Sequence, residues 1–254
     1  MPTFDSAASS TTCPPECKDC ALRVREAFAP IDGTQLNYIA GLRSGAATFE
    51  AGRDIIPEQQ KIGALYTLYS GWAFRYKSLS DGRRQILNFL LPGDFIGLQE
   101  QFADGPSHGV QALTDVTLCK FPRDQLWSLF RDYPEIAYDV TWLASREEGH
   151  VDEHLLTAGK RNANERVAML LLHLYRRAER VGMSSDGSVL FPLNQQHIAD
   201  ALGLSLVHTN RTLRRLAALG LHSIQDGRLS VLNPKALQRI ADYYFRPLRR
   251  VPLI

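Results

Sequence analysis

The sequence predicts an α+β protein: an N-terminal antiparallel β-barrel or jelly roll, one long helix, and a C-terminal winged helix-turn-helix. Three observations predict it. Residues 46–121 hold short β-type runs punctuated by glycine turns, as in barrels and sandwiches. Residues 133–160 repeat apolar side chains at 3–4 spacing behind a proline, the pattern of a long helix. Residues 193–233 spell two short helices about a tight turn and then a small hairpin.

In the first region the strand candidates are 64–70, 72–77, 85–90, 95–96, 110–113 and 116–121. Turn signals at Ser70-Gly71, Asp81-Gly82, Pro92-Gly93 and Asp104-Gly105 separate them. Tyr66, Tyr69, Trp72, Phe74, Tyr76 and Phe89 are expected in the core and in cross-strand pairs. A jelly roll is also a scaffold for metal enzymes, which need several histidines and a carboxylate around one ion. His108 is the only histidine in this region, so an enzyme is not expected.

Pro122-Arg-Asp124 is read as the cap of a short helix through Arg131, and Pro134 as the first turn of the long one. The stripe Ile136, Val140, Leu143, Ala144, Val151 and Leu155 is expected to pair with a second copy as a short coiled coil. Burial against the chain's own barrel is the alternative. His150 and His154, one turn apart, are expected to be solvated or at that interface. Lys160-Arg-Asn-Ala-Asn164 reads as a hinge, followed by a helix burying Val167, Leu170, Leu171 and Leu174. Residues 184–188 read as a polar loop.

Ile198, Ala199 and Leu202 mark the first helix of the reader, and Gly203 breaks it. Ser205 caps a second helix that Gly220 stops. At about 100° per residue, Leu206, Thr209, Leu213, Leu216 and Ala217 face inward and Val207, Arg211, Arg214 and Arg215 outward, with His208 and Asn210 at the margin. Guanidinium forks and amides on such a face match the donor–acceptor pattern of the DNA major groove. Asp226-Gly227 then makes a type I′ turn, the tip of a wing. An arginine face that is merely solvated is the alternative; the hairpin and the turn length favour double-stranded DNA. A single unit reads a half-site, and a homodimer supplies the second.

Charge distribution agrees. Residues 161–254 carry 14 Lys and Arg against 6 Asp and Glu, a net +8, while residues 1–160 carry 15 against 21, a net −6. A basic half joined to an acidic one fits a protein that meets phosphates at one end. With 44% hydrophobic and 22% charged residues and no apolar run of about 18 residues, no membrane association is expected. The opening residues lack a secretion signal and read as a disordered tail on a cytoplasmic protein. Four domains are expected: a flexible cysteine-containing segment (1–30), a barrel sensor (31–132), a dimerisation helix (133–160) and the DNA reader (161–254). Cys13, Cys17 and Cys20 cluster near the start, with Cys119 far behind. That clustering favours metal or redox chemistry over a disulfide framework.

Barrel, long helix and winged helix-turn-helix in this order resemble the cAMP receptor protein/fumarate-nitrate regulator (CRP/FNR) superfamily of bacterial transcription factors. The resemblance rests on Leu91-Pro-Gly-Asp-Phe-Ile-Gly97, Lys160-Arg-Asn-Ala-Asn-Glu-Arg166 and Gln196-His-Ile-Ala-Asp-Ala-Leu-Gly203 through Arg211-Thr-Leu213. It implies a cyclic-nucleotide-binding-like barrel and RNA polymerase as a partner. It also implies that Ser205, Val207, His208, Asn210 and Arg211 enter the groove, with Arg211 on guanine, Arg214 and Arg215 on phosphates, and Gln195 and Gln196 on the backbone or an outer base. Val207 stands where the family often has glutamate.

The cAMP-binding branch has a ribose-binding glutamate where this chain has Leu98, and an Arg-Ser pair where it has Pro106-Ser107; tight cAMP binding is not expected. The fumarate-nitrate branch holds a [4Fe–4S] cluster through three N-terminal cysteines and one in the barrel. Cys17, Cys20 and Cys119 match, but Glu26 stands at the third N-terminal ligand, so Cys13 would have to substitute. A zinc or thiol redox site, or a small-molecule sensor, are the alternatives for the signal. An adaptor binding DNA only non-specifically is the alternative for the whole.

Overall fold

Asp32 starts the first helix of the computed structural model, which describes residues 14–99, 108–243 and 249–254. Its carboxylate accepts from the Thr34 and Gln35 N–H groups at 2.8 and 2.9 Å and opens α1 (Gly33–Leu42). The strands follow: β1 (Gly45–Phe49), β2 (Asp54–Ile56), β3 (Ala64–Ser70), β4 (Ala73–Ser78), β5 (Arg84–Leu90), β6 (Phe95–Ile96), β7 (Gly109–Ala112) and β8 (Val116–Pro122). They form two four-stranded sheets, β1-β8-β3-β6 and β2-β7-β4-β5, with antiparallel pairing throughout. Leu68, Ala73, Leu90, Ile96, Val110 and Leu118 fill the space between them. This is the predicted jelly roll. Gly71 makes its β3–β4 turn possible: φ is +87°, and a Cβ there would lie 2.2 Å from the Asp115 carbonyl oxygen.

Beyond the barrel come α2 (Leu126–Asp132) and α3 (Pro134–Lys160). The short helix has no side-chain cap; a 3-10 turn at Arg123–Gln125 leads into it instead of the expected Asp124 cap. Only Arg161 and Asn162 separate α3 from α4 (Ala163–Arg180), and Asn162 and Glu165 form a capping box. The hinge is therefore shorter than predicted. The reader comprises α5 (Gln195–Leu202), α6 (Leu206–Ala218) and α7 (Pro234–Ile240) around a sheet ordered β11-β12-β10-β9. These strands are β9 (Ser184–Ser185), β10 (Ser188–Leu190), β11 (His222–Gln225) and β12 (Arg228–Val231). Asp226-Gly227 has two positive φ values, as a type I′ turn requires. So does Asp186-Gly187, so the predicted polar loop at 184–188 is a second hairpin.

Two expectations about boundaries change. Residues 14–30 are not a flexible tail: Cys17, Leu22, Ala27 and Phe28 are buried, and the segment from Val251 packs beside them. Val251 N–H donates to Ala27 O at 2.8 Å and Ala29 N–H to Val251 O at 2.9 Å. Residues 1–13, including Cys13, lie outside the described residues. Nor are barrel and reader separate cores. Trp72, Phe74, Ile86 and Phe89 share one hydrophobic cluster with Val167, Leu171, Ile198 and Leu202. Phe74 and Phe89, two of the aromatics expected in the core or in cross-strand pairs, do face each other across β4 and β5, yet they bury their rings against the reader rather than inside the barrel. Among the described residues no helix is long and apolar enough to cross a membrane.

Candidate nucleic-acid interface

Asn194 and His197 begin α5 with a reciprocal cap. Gly203, at φ +62°, ends it and turns the chain into α6. Ser205 Oγ accepts from His208 N–H at 3.2 Å, setting the first turn of the second helix. Thr209, Thr212, Leu213 and Leu216 face inward. Leu206 (42% exposed) and Ala217 were expected on that side but lie on the surface; helix ends overhang the α5 platform that covers the middle turns. Val207 is 79% exposed, and Ser205, Arg211, Arg214 and Arg215 are exposed, with His208 and Asn210 half-buried. None of the three arginines makes an ion pair among the described residues. The face expected to read DNA is thus exposed, and its three guanidinium groups are without ion pairs among the described residues.

Gln195 and Gln196 are also exposed, but Gln196 Nε2 donates to Asp200 Oδ1 at 2.6 Å. The other oxygen of Asp200 receives Arg84 Nε at 3.0 Å. Arg84 stacks over the Phe74 ring at 5.0 Å, and Gln85 Nε2 donates to Ala201 O at 2.9 Å. The first reader helix is therefore seated on β5 of its own barrel. Nothing in the sequence marked Arg84 or Gln85, because the contact joins residues more than a hundred positions apart.

The long-helix stripe divides. Ile136, Val140 and Leu143 are 1%, 1% and 5% exposed, packed with Leu65, Phe95, Phe121 and Leu126 of their own chain. They are not available to a partner, which corrects the expectation for these three. Ala144 is exposed, as are Val151 (49%) and Leu155 (72%), with Leu156 (48%) beside them. With Thr141, Glu148 and Ala158, also exposed, they continue a 3–4 spacing along the outer face. His150 is neither solvated nor at that face. Its ring meets His173 edge-on at 5.7 Å, Nδ1 lies 3.3 Å from Asn88 Nδ2, and burial drives its pKa down to about 2. Half-buried His154 is lowered too, again by burial.

Between the barrel and α3 lies a cavity of about 470 Å³, lined by Arg75, Asp94, Leu98, His108, Arg146 and Glu147 among others. Its lining is charged. Arg75 pairs with Glu147 at 2.7 Å and Arg146 with Asp94 at 2.7 Å. Asp94 also accepts from Arg177 and from the Leu91 amide. Burial opposes its ionisation, but Arg177 and Arg146 hold its pKa down at about 2. Burial lowers His108 to about 4, so this ring is neutral at pH 7. Pro106 and Ser107 lie outside the described residues.

Cys17, on a 3-10 turn at Cys17–Asp19, Cys20 beside it and Cys119 on β8 line one small cavity. Arg23 borders it, donating to Cys17 O at 3.2 Å and Leu253 O at 3.1 Å, and burial lowers its pKa. The topology thus brings together three thiols about a hundred residues apart in sequence. The free space is about 20 Å³, room for about one water molecule. Among the described residues no three Cys, His, Asp or Glu side chains are grouped to hold a metal. As folded, these residues do not fit a four-iron cluster.

Residues 46–133 match the family model described as cyclic nucleotide-binding domain, and residues 165–240 the Crp-like helix-turn-helix domain. The chain is similar to nitrogen fixation regulation protein FixK of Bradyrhizobium diazoefficiens, 31% identical over 89% of this chain and 93% of that protein. It is also similar to the transcriptional activatory protein AadR of Rhodopseudomonas palustris, 33% identical over 74% of this chain and 77% of that one. Among solved structures, FixK2 from Bradyrhizobium japonicum superposes with a TM-score of 0.69 at 29% identity, over 77% of this chain and 96% of that one. Both matched models fall on the two halves just described, and the arginine-bearing α6 lies within the second. The chain is a member of the CRP/FNR family of DNA-binding transcription regulators, not an enzyme.

Proposed function

We propose that two copies pair along the outer face of α3 and present two α6 helices to successive major grooves of a pseudo-palindromic operator. The observation that carries this is the α6 face itself: Val207 and Arg211 exposed in the first turns and Arg214 and Arg215 behind them, the three arginines without ion pairs among the described residues. Arg211 reads guanine O6 and N7, a pair contributing about 1–3 kcal/mol of discrimination. Val207 touches a thymine methyl. Arg214 and Arg215 take phosphates, and Gln195 contacts the backbone. Asn210 and His208 flank the reading face, and RNA polymerase is the partner once the dimer is bound, in the cytoplasm. Selection from a random duplex library tests it: a two-fold motif should emerge, and unselective recovery would favour the adaptor reading.

The signal reaches the barrel half. Cys17, Cys20 and Cys119 act as redox-active thiols: two of them join as a disulfide while one hydrogen peroxide is reduced to two waters, the thiols supplying two protons and two electrons. Their shared cavity supports this. Mass spectrometry after peroxide treatment should find a bond within this trio; stoichiometric iron and sulfide in oxygen-free protein would overturn it in favour of the cluster. Cyclic AMP binds weakly at most, because Arg75 and Arg146 are already neutralised by Glu147 and Asp94, and Leu98 supplies no ribose acceptor. Titration calorimetry finding micromolar affinity would contradict that.

A further inference from the structure

A second cavity, of about 210 Å³, sits where the barrel, α3, α4 and the segment from Arg249 meet. Five arginines line it: Arg146 from α3, Arg176, Arg177 and Arg180 from α4, and Arg249. Asp94 is the one carboxylate among its described lining residues, and it is saturated by Arg146, Arg177 and the Leu91 amide. His150 and His173 also line the wall, and burial lowers both pKa values, so they add no charge at pH 7. The wall therefore holds a large excess of positive charge in a partly desolvated space.

The guanidinium groups are also fixed in place. Arg176 lies over the Tyr243 ring at 5.1 Å and donates to Gln238 Oε1 at 3.3 Å. Arg249 lies over the Trp142 ring at 5.5 Å. Arg180 donates to the Arg249 carbonyl oxygen at 3.1 Å. Aromatic faces orient a guanidinium in its plane. Five guanidinium groups lining one space suit the oxygens of a phosphate better than any neutral ligand. Burial and the charge of Arg146 both push the Arg180 pKa down, a repulsion that a bound anion relieves.

We propose that this cavity is an effector site for a compact phosphorylated small molecule carrying two or more negative charges. Its walls come from the barrel turn at Gly93-Asp94, from α3, and from the reader through α4 and Tyr243. An anion here would bind both halves of the chain and hold the reader in its present seat on the barrel. The site is separate from the barrel–α3 cavity, with which it shares only Asp94 and Arg146.

Pyrophosphate is the probe, titrated calorimetrically into the full chain at fixed ionic strength. The wild type should bind, and Arg180→Gln or Arg249→Gln should weaken binding about tenfold or more, equivalent to about 1.4 kcal/mol. Arg83→Gln, altering an exposed turn arginine, should leave it unchanged. A thermal melt of each variant confirms folding, and bound pyrophosphate should raise the wild-type melting temperature. No binding at about 1 mM, or equal affinity in the Arg180 and Arg249 variants, would overturn the site. Binding lost in Arg211→Gln but kept in Arg180→Gln would assign the anion to the DNA-reading face and overturn it as well.

Discussion

Replacing Leu155 by aspartate should separate the dimer while leaving the protomer folded. Leu155 is 72% exposed, so it contributes little inside its own chain and lies open to a partner in the proposed dimer. Fully burying a leucine contributes about 2 kcal/mol; recovering the exposed share in both copies gives about 3 kcal/mol per dimer. Two carboxylates brought close to a two-fold axis add about 1 kcal/mol of repulsion. A total near 4 kcal/mol corresponds to roughly a thousandfold rise in the dimer dissociation constant. Sedimentation velocity over a dilution series measures this directly, and operator affinity should fall with it. Ile136→Asp serves as the contrast: at 1% exposure it should unfold the barrel–helix junction rather than dissociate a dimer. If Leu155→Asp dimerised as the wild type does, the outer-face seam would be wrong.

Acidification below about pH 6.5 should destabilise the fold through its buried histidines. Burial depresses the His150 and His173 pKa values in the folded state, so the unfolded chain takes up more protons below about pH 6.5. Stability is full above that pH and falls as pH drops, by about 1.4 kcal/mol per pH unit for each ring. Denaturant melts at pH 7, 6 and 5 should show the slope, and a flat profile would contradict the burial of these rings. Asp94 acts lower: its contribution of about 2 kcal/mol, from a folded pKa of about 2, fades between pH 4 and 2. Asp94→Ala should cost about 3–5 kcal/mol at pH 7, because Arg146 and Arg177 stay buried without it; a change below 1 kcal/mol would refute that reading. Gly71→Ala should cost at least about 2 kcal/mol, combining a left-handed φ with a clash on Asp115 O.

Most of the architecture was legible because local chemistry carried it. The barrel runs at 64–70, 85–90 and 116–121 lie within one residue of β3, β5 and β8, since short β-type runs and glycine turns both marked them. Asp226-Gly227 is the I′ turn, and Gly203 is the left-handed break it had to be. What stayed hidden depends on contacts distant in sequence. The outer rings of Phe74 and Phe89 pass for barrel core until α5 is seen resting on them. Arg75, a charged residue inside a strand run, gave no hint that Glu147 waited on the long helix. The stripe on that helix was real, but one periodicity served two faces. Its first half meets the barrel and its second half meets solvent, and spacing alone does not say where the change occurs. The thiol trio was half legible: the cluster of cysteines stood out, whereas the size of the space they share is a property of the packed fold.

The most direct test compares wild-type protein with Arg211→Ala and Arg214→Ala on a library-selected duplex and on random duplex across a salt series. If α6 reads bases, Arg211→Ala costs about 1–3 kcal/mol on the selected sequence only, and Arg214→Ala weakens both duplexes alike with a salt slope lower by about one. Unchanged selectivity in Arg211→Ala, with the wild type no tighter on the selected duplex than on the random one, would contradict it.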